Sequence, residues 1–210
     1  MQNVRQSNGI TAVIQNIQLP QEIQTELIRK TIHILIALVP MLAAIHSAVT
    51  LSLLASGILI YTYAELMRLR GVKVVLISGI TSMAARQRDR GKFVMGPVTL
   101  GIGAMMALML YPNPAASIAI YALAFGDGLS SVIGKLFGQI EMPFTGGKTV
   151  EGSLACFVAV FFISFQISNS VSYSLLIAAG TTLLEAMPLK DLDNIVIPAG
   201  TGILATYLLI

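Results

Sequence analysis

The chain has 210 residues, of which 55% are hydrophobic and only 11% charged, with a mean hydropathy of +0.81. Soluble domains carry about 25% charged residues, so an ordinary soluble globule is excluded. The net charge of +3 comes from 13 basic and 10 acidic residues; membrane proteins gather Lys and Arg on their cytoplasmic loops, so this excess does not call for nucleic acid.

Residues 1–28 are polar and Gln-rich, with Ile10, Val13, Ile14 and Ile17 at helical spacing. They lack the basic start, apolar stretch and small-residue cleavage site of a signal peptide, and they read as an N-terminal amphipathic, interfacial segment. From residue 29 to 210 the sequence predicts a single transmembrane domain, all-α and polytopic. Apolar runs at 31–46, 47–64, 94–110, 115–134, 152–168, 172–187 and 194–210 give about seven spans.

The loops alternate in charge. Arg5, Arg29 and Lys30 precede the first span. Arg68, Arg70, Lys73, Arg86, Arg88, Arg90 and Lys92 lie between the second and third, Lys135 and Lys148 flank a later loop, and Lys190 follows the sixth. These are all 13 basic residues, and all fall on one side. The opposite loops, near His46, Tyr111-Pro112-Asn113-Pro114 and Ser168-Asn169-Ser170, hold no Lys or Arg. Retention of positive charge on the inner side predicts a cytoplasmic N-terminus and a site facing the cytoplasm. In a bacterium this would be the inner membrane. Residues 72–92 read as a basic helix lying on anionic headgroups. The one cysteine, Cys156, sits in an apolar run and reads as a small buried hydrophobe.

Ionisable residues inside a bilayer are costly and point to function. Asp127 is the clearest, in Phe125-Gly126-Asp127-Gly128. On a helix Asp127, Ser131 and Lys135 share one face, while Gly126, Ser130, Gly134 and Gly138 form a small-residue stripe suited to close packing. The second cluster, Gly146-Gly147-Lys148-Thr149-Val150-Glu151-Gly152, runs from a loop into the fifth span. Free amides at a helix start together with a lysine make an anion site. It is not a P-loop, because that motif needs a glycine where Met142 stands. An acid beside a bound phosphate suits Mg²⁺ between them, which assigns Asp127 and Glu151 as metal ligands. Weaker candidates are Glu185, Asp193 and Asn194 near the last span, and Arg29, Lys30 and His33 at the first.

Phe125-Gly126-Asp127-Gly128 through Gly134-Lys135-Leu136-Phe137-Gly138, followed by Gly147-Lys148-Thr149-Val150-Glu151-Gly152-Ser153, resembles the signature of the CTP-dependent lipid kinases, namely dolichol kinase, phytol kinase and yeast-type diacylglycerol kinase. The phosphatidate cytidylyltransferases carry a more distant version. The likeness extends to Arg29-Lys30, His33, Glu185-Ala186 and Asp193-Asn194. In one departure, Gly147 stands where members often carry a second lysine.

The resemblance implies a lipid-alcohol kinase that uses CTP and Mg²⁺ on a polyprenol, phytol or diacylglycerol. Asp127, Lys148 and Glu151 would be catalytic, and Gly126, Gly128, Ser131, Lys135, Gly147, Lys148 and Thr149 would bind the nucleotide. The partners expected are the lipid alcohol, CTP and the bilayer, with a homodimer as an allowed assembly and no nucleic acid. Two alternatives stay open on the residues alone: a cytidylyltransferase making CDP-diacylglycerol, which needs the same triphosphate cradle, and a small transporter using Asp127 and Glu185 within Gly/Pro-interrupted spans.

Overall fold

The computed structural model describes residues 21–72, 79, 81, 89 and 91–210. The amphipathic pattern at Ile10, Val13, Ile14 and Ile17 lies outside the described residues, as do Arg86, Arg88 and Arg90 of the expected basic surface helix. All extended regular structure among the described residues is helical, and the sole strand-like pairing there is one bridge between Glu141 and Thr149. The helical membrane class read from the sequence is what the structure shows.

Helix α1 (Gln21–Leu35) passes through a short tight turn at 36–38 into α2 (Val39–Leu69). Pro40 sits in the first turn of α2, where its missing amide costs no hydrogen bond. The whole apolar stretch Ile23–Leu69 has 47 residues, and as one straight helix it would run about 70 Å, more than twice a bilayer core of about 30 Å. It breaks at His46, whose backbone is extended (φ −156°, ψ 95°). Arg29 and His33 before the break line the same cavity as Tyr61 after it, so the two limbs fold back on one another. This is where the sequence placed an outer turn. Helix α1 begins inside the stretch assigned from sequence to the interfacial segment, and Glu26 is already buried within the bundle.

Helix α3 (Gly96–Leu110) is followed by the Pro112–Pro114 turn and then by a composite helix. That helix comprises α4 (Ala115–Tyr121), a wide π turn (Ala122–Asp127) and α5 (Gly128–Phe137). A loop leads to α6 (Val150–Ser168), capped at its start by Thr149, whose side chain accepts the Gly152 amide at 3.2 Å. Asn169 in the left-handed region ends α6, Ser170 caps α7 (Val171–Ala186), and α8 (Asp193–Leu209) closes the chain. By length and composition four stretches can cross a membrane: 23–69, 115–137, 150–168 and 190–209. Helices α3 and α7, at 15 and 16 residues, measure about 22–24 Å. Among the described residues four stretches thus have the length and composition of a crossing and two apolar helices are shorter, and the count of about seven spans is not confirmed.

The core lies between α4, α6, α7 and α8, where Ile118, Val160, Ile177 and Ile197 are fully buried. Cys156 is buried there as expected. Large apolar side chains such as Ile45, Leu59, Leu183 and Tyr207 point outward, as lipid-facing residues do. The glycine stripe performs the close packing read from sequence. A Cβ on Gly134 would meet Thr149 Oγ1 at 3.0 Å, and one on Gly152 would meet the Ser130 carbonyl oxygen at 2.7 Å. Helices α5 and α6 are thus in backbone contact, and this fixes the Lys148 loop against the face that carries Asp127.

Candidate active site

The π turn 122–127 delivers Asp127 at its last position. Wide turns of this kind often sit at functional sites, and periodicity alone gives no sign of one. Asp127 is buried, at 2% exposure, and is met from α1 by two side chains that are equally buried. The Lys30 ammonium donates to Asp127 Oδ2, and His33 Nδ1 lies 3.2 Å from the same oxygen. Lys30 and His33, weak candidates on sequence grounds, are therefore direct partners of the strongest one.

Asp127 also forms part of the wall of a cavity of about 400 Å³ at one end of the bundle. Ser131 and Lys135 line it from α5, which confirms that the three share a face. Across from them stands the loop Thr145-Gly146-Gly147-Lys148-Thr149. Gly146 and Gly147 adopt φ of +74° and +92°, which favours glycine and lets the backbone turn tightly above the cavity. Lys148 reaches inward to Glu185 of α7, with Nζ 3.0 Å from Oε1 and a further hydrogen bond donated to the Glu185 carbonyl. The Glu185 carboxylate also accepts from Ser130 Oγ at 2.8 Å and from Ser153 Oγ at 3.2 Å. Three helices thus hold Lys148 in place through one carboxylate. Asp193 and Lys190 complete this wall.

Glu151, Gly126, Gly128 and Asn194 do not line the cavity. Glu151, expected as a metal ligand and catalytic residue, is not part of the cavity wall. It follows the cap Thr149 by two residues, and its carboxylate turns to the 138–142 segment, where it accepts the Ile140 amide at 3.4 Å. The carboxylate that does stand beside Lys148 is Glu185. Gly126, expected at the nucleotide, packs instead on α6: a Cβ there would meet Val160 at 3.0 Å and Cys156 at 3.3 Å. Gly128 is buried and does not line the cavity either. Asn194 ties α8 to α3, donating to Thr99 Oγ1 at 2.9 Å and to the Gly96 carbonyl at 3.2 Å. Thr149 lines the cavity, but its hydroxyl oxygen is occupied in capping α6.

Glu26 was not anticipated. It is buried, lines the cavity, and pairs with Lys135 Nζ at 3.2 Å and Arg29 NH2 at 3.5 Å. The signal was available, since positions 26, 30 and 33 fall on one face of a helix. Carboxylates of Asp127, Glu185, Asp193 and Glu26 thus share a cavity with Lys135, Lys148 and Lys190. No group of three His, Cys, Asp or Glu side chains among the described residues is close enough to hold a metal ion unaided. What the cavity offers is a mixed-charge, glycine-roofed pocket whose ammonium groups suit phosphate oxygens.

The chain is 30% identical over 208 residues to a chloroplastic farnesol kinase of Arabidopsis thaliana, covering 88% of this chain and 66% of that protein. It is 25% identical over 205 residues to the same plant's chloroplastic phytol kinase 1, covering 89% and 67%. A probable chloroplastic phytol kinase of Triticum aestivum matches over 147 residues at 24% identity, covering 61% and 49%. The chain thus spans between half and two thirds of the length of these relatives. No family model and no solved structure matches it. On these likenesses the chain belongs to the lipid kinase family of these phytol and farnesol kinases.

Proposed function

We propose that the protein is a membrane-embedded kinase that transfers the γ-phosphoryl group of CTP to a lipid alcohol, with an isoprenoid alcohol as the first candidate. The observation that carries this reading is the single cavity in which the Gly146-Gly147-Lys148 loop faces the buried Asp127 between apolar helices. The names of the relatives support the choice of alcohol.

Phosphoryl transfer asks the protein for position and charge more than for covalent chemistry. The amides of the 145–149 loop and the Lys148 ammonium would hold the triphosphate. Glu185 keeps that ammonium directed into the cavity, and Lys135 and Lys190 add positive charge at its mouth. Mg²⁺ is held typically by one or two carboxylates plus the substrate's own phosphates. Asp127 and Asp193, which line the cavity, would hold such an ion together with the phosphates, and it would supply positive charge beside the transferred group. Because Lys135, Lys148 and Lys190 line the cavity and positive charge is retained on the inner side, we place it on the cytoplasmic side of the membrane.

The test uses purified protein in detergent or liposomes with CTP labelled at the γ position and a panel of farnesol, phytol and diacylglycerol. Label is expected in the lipid, and Lys148→Ala is expected to reduce it by about 10²-fold or more, the scale of losing one charge-stabilising group. Label that appears in lipid only from the cytidine ring would overturn the kinase reading in favour of cytidylyl transfer. Lipid-phosphate formation by Lys148→Ala at the wild-type rate would remove the loop from the site.

A further inference from the structure

Helix α6 carries Val150, Leu154, Val158 and Phe162 at four-residue spacing, and all four are exposed. On a helix long and apolar enough to cross a membrane, such a row is the face turned to lipid. Its first residue, Val150, stands at the base of the loop that roofs the cavity. There the Val150 amide donates to the Ile140 carbonyl at 2.9 Å and the Met142 amide donates to the Lys148 carbonyl at 2.8 Å, an antiparallel register with Glu141 opposite Thr149. Ile140 and Val150 are therefore directly opposed on one face of the pair, and Ile140 is 61% exposed. Phe137, the last residue of α5, is exposed as well. The lipid-facing surface thus continues from α6 onto the loop. At the far end of the loop Phe144 is 97% exposed and has a φ of +64°. A bulky residue rarely takes that conformation, and a ring so exposed gains almost no contact with the protein. The six residues from Met142 to Gly147 carry no charge, although loops on the inner side of a membrane are where cations gather. Lys148 follows them, but its ammonium is turned inward to Glu185.

We propose that the 138–149 loop is a membrane anchor: Ile140 and Phe144 insert at the boundary between headgroups and acyl chains, and the partner of this apolar edge is the bilayer surface. Lipid is the occupant, and not a second protein, because the edge prolongs a surface that lipid already covers. Apolar side chains at that boundary hold a segment in the plane of the interface by the area they withdraw from water. The loop then lies along the membrane and does not stand up from it. One consequence rests on the kinase reading above: the anchor keeps the Gly146-Gly147-Lys148 roof at the depth where the hydroxyl of a lipid alcohol sits, so that triphosphate and acceptor meet at one level. An alcohol that binds only while the loop is inserted loses apparent affinity in proportion to the inserted fraction.

Depth is measured on the full chain in phosphatidylcholine liposomes. Cys156 is fully buried, so in the folded protein a maleimide dye reaches only an introduced cysteine. Phe144→Cys and Ile140→Cys, each carrying a polarity-sensitive dye, are expected to be quenched by phosphatidylcholine brominated near the glycerol end of its acyl chains and to be shielded from aqueous iodide. A dye at position 144 that iodide quenches as it does the free dye overturns the anchor, and so does lipid quenching confined to position 140. Shielding from both quenchers gives the edge to a protein contact and overturns it too. In the γ-label assay, Phe144→Asn is expected to raise the KM for the alcohol by about tenfold, the lower end of what burying a phenyl ring is worth. Its thermal stability is expected to be no lower than that of the wild type, because the lost ring leaves no packing behind and Asn suits a left-handed backbone. Phe144→Trp, which keeps an interfacial ring, is expected to hold the alcohol KM within about twofold of wild type. A wild-type alcohol KM in Phe144→Asn overturns the delivery role of the anchor. Should the wild type phosphorylate no alcohol, the kinase reading fails, and the quenching still decides whether the loop lies in the bilayer.

Discussion

Replacing Lys30 by Met removes the cation from a buried pair while keeping a side chain of similar length. Both partners are essentially inaccessible, Lys30 at 1% and Asp127 at 2% exposure. Taking one charge from such a pair leaves the other uncompensated in a low-dielectric setting, at a cost of about 3–5 kcal/mol. His33, 3.2 Å from the same Asp127 oxygen, keeps one polar neighbour for the carboxylate, so the lower end, about 3 kcal/mol, is expected. Lys30→Met with Asp127→Asn removes both charges and should recover most of that loss, giving a coupling of about 2 kcal/mol in a double-mutant cycle. The chain supplies its own reporter. It contains no tryptophan and a single cysteine, and Cys156 is fully buried, so unfolding in detergent can be followed with a thiol-reactive dye. Recovered stability should not bring back activity, since Asp127 is lost in the double variant. A Lys30→Met protein as stable as wild type, or a double variant no better than the single, would refute the claim that this pair organises the site.

Glu151→Gln is expected to leave lipid phosphorylation within about twofold of wild type, because its carboxylate faces the Ile140 amide outside the cavity; a loss as large as that of Lys148→Ala would return it to the site. Gly152→Ala should destabilise by about 1–3 kcal/mol, the usual cost of overpacking, since its new methyl would sit 2.7 Å from the Ser130 carbonyl oxygen; the Cys156 labelling assay reads this directly, and wild-type stability would contradict the backbone contact of α5 with α6.

The helical membrane class was legible because hydropathy and the position of cations are properties of local sequence. The break at His46 was legible for the same reason, as a polar residue midway in a run too long for one crossing. The Asp127 face with Ser131 and Lys135 also followed from spacing, and the glycine stripe followed from residue size. Glu151 is three residues from Lys148 in sequence, yet its carboxylate turns to the Ile140 amide and away from the cavity. Its place is taken by Glu185, 37 residues from Lys148, a pairing that only the packing of α6 on α7 creates. The π turn before Asp127 was not legible either, since the same small and apolar residues are compatible with an ordinary helix.

The Lys30–Asp127 pair also has a consequence for the order in which the protein is built. Its members are 97 residues apart in the chain, so during synthesis the first hairpin reaches the membrane carrying a lysine whose counter-ion has yet to be translated. A lone ammonium is kept out of the hydrocarbon by its long stem snorkelling to the interface. Helix α1 would therefore first settle with Lys30 at the headgroups, and the pair can form only once Asp127 arrives with α4 and α5. Insertion of the fourth helix, and not of the first, is the event that commits the bundle to its active arrangement.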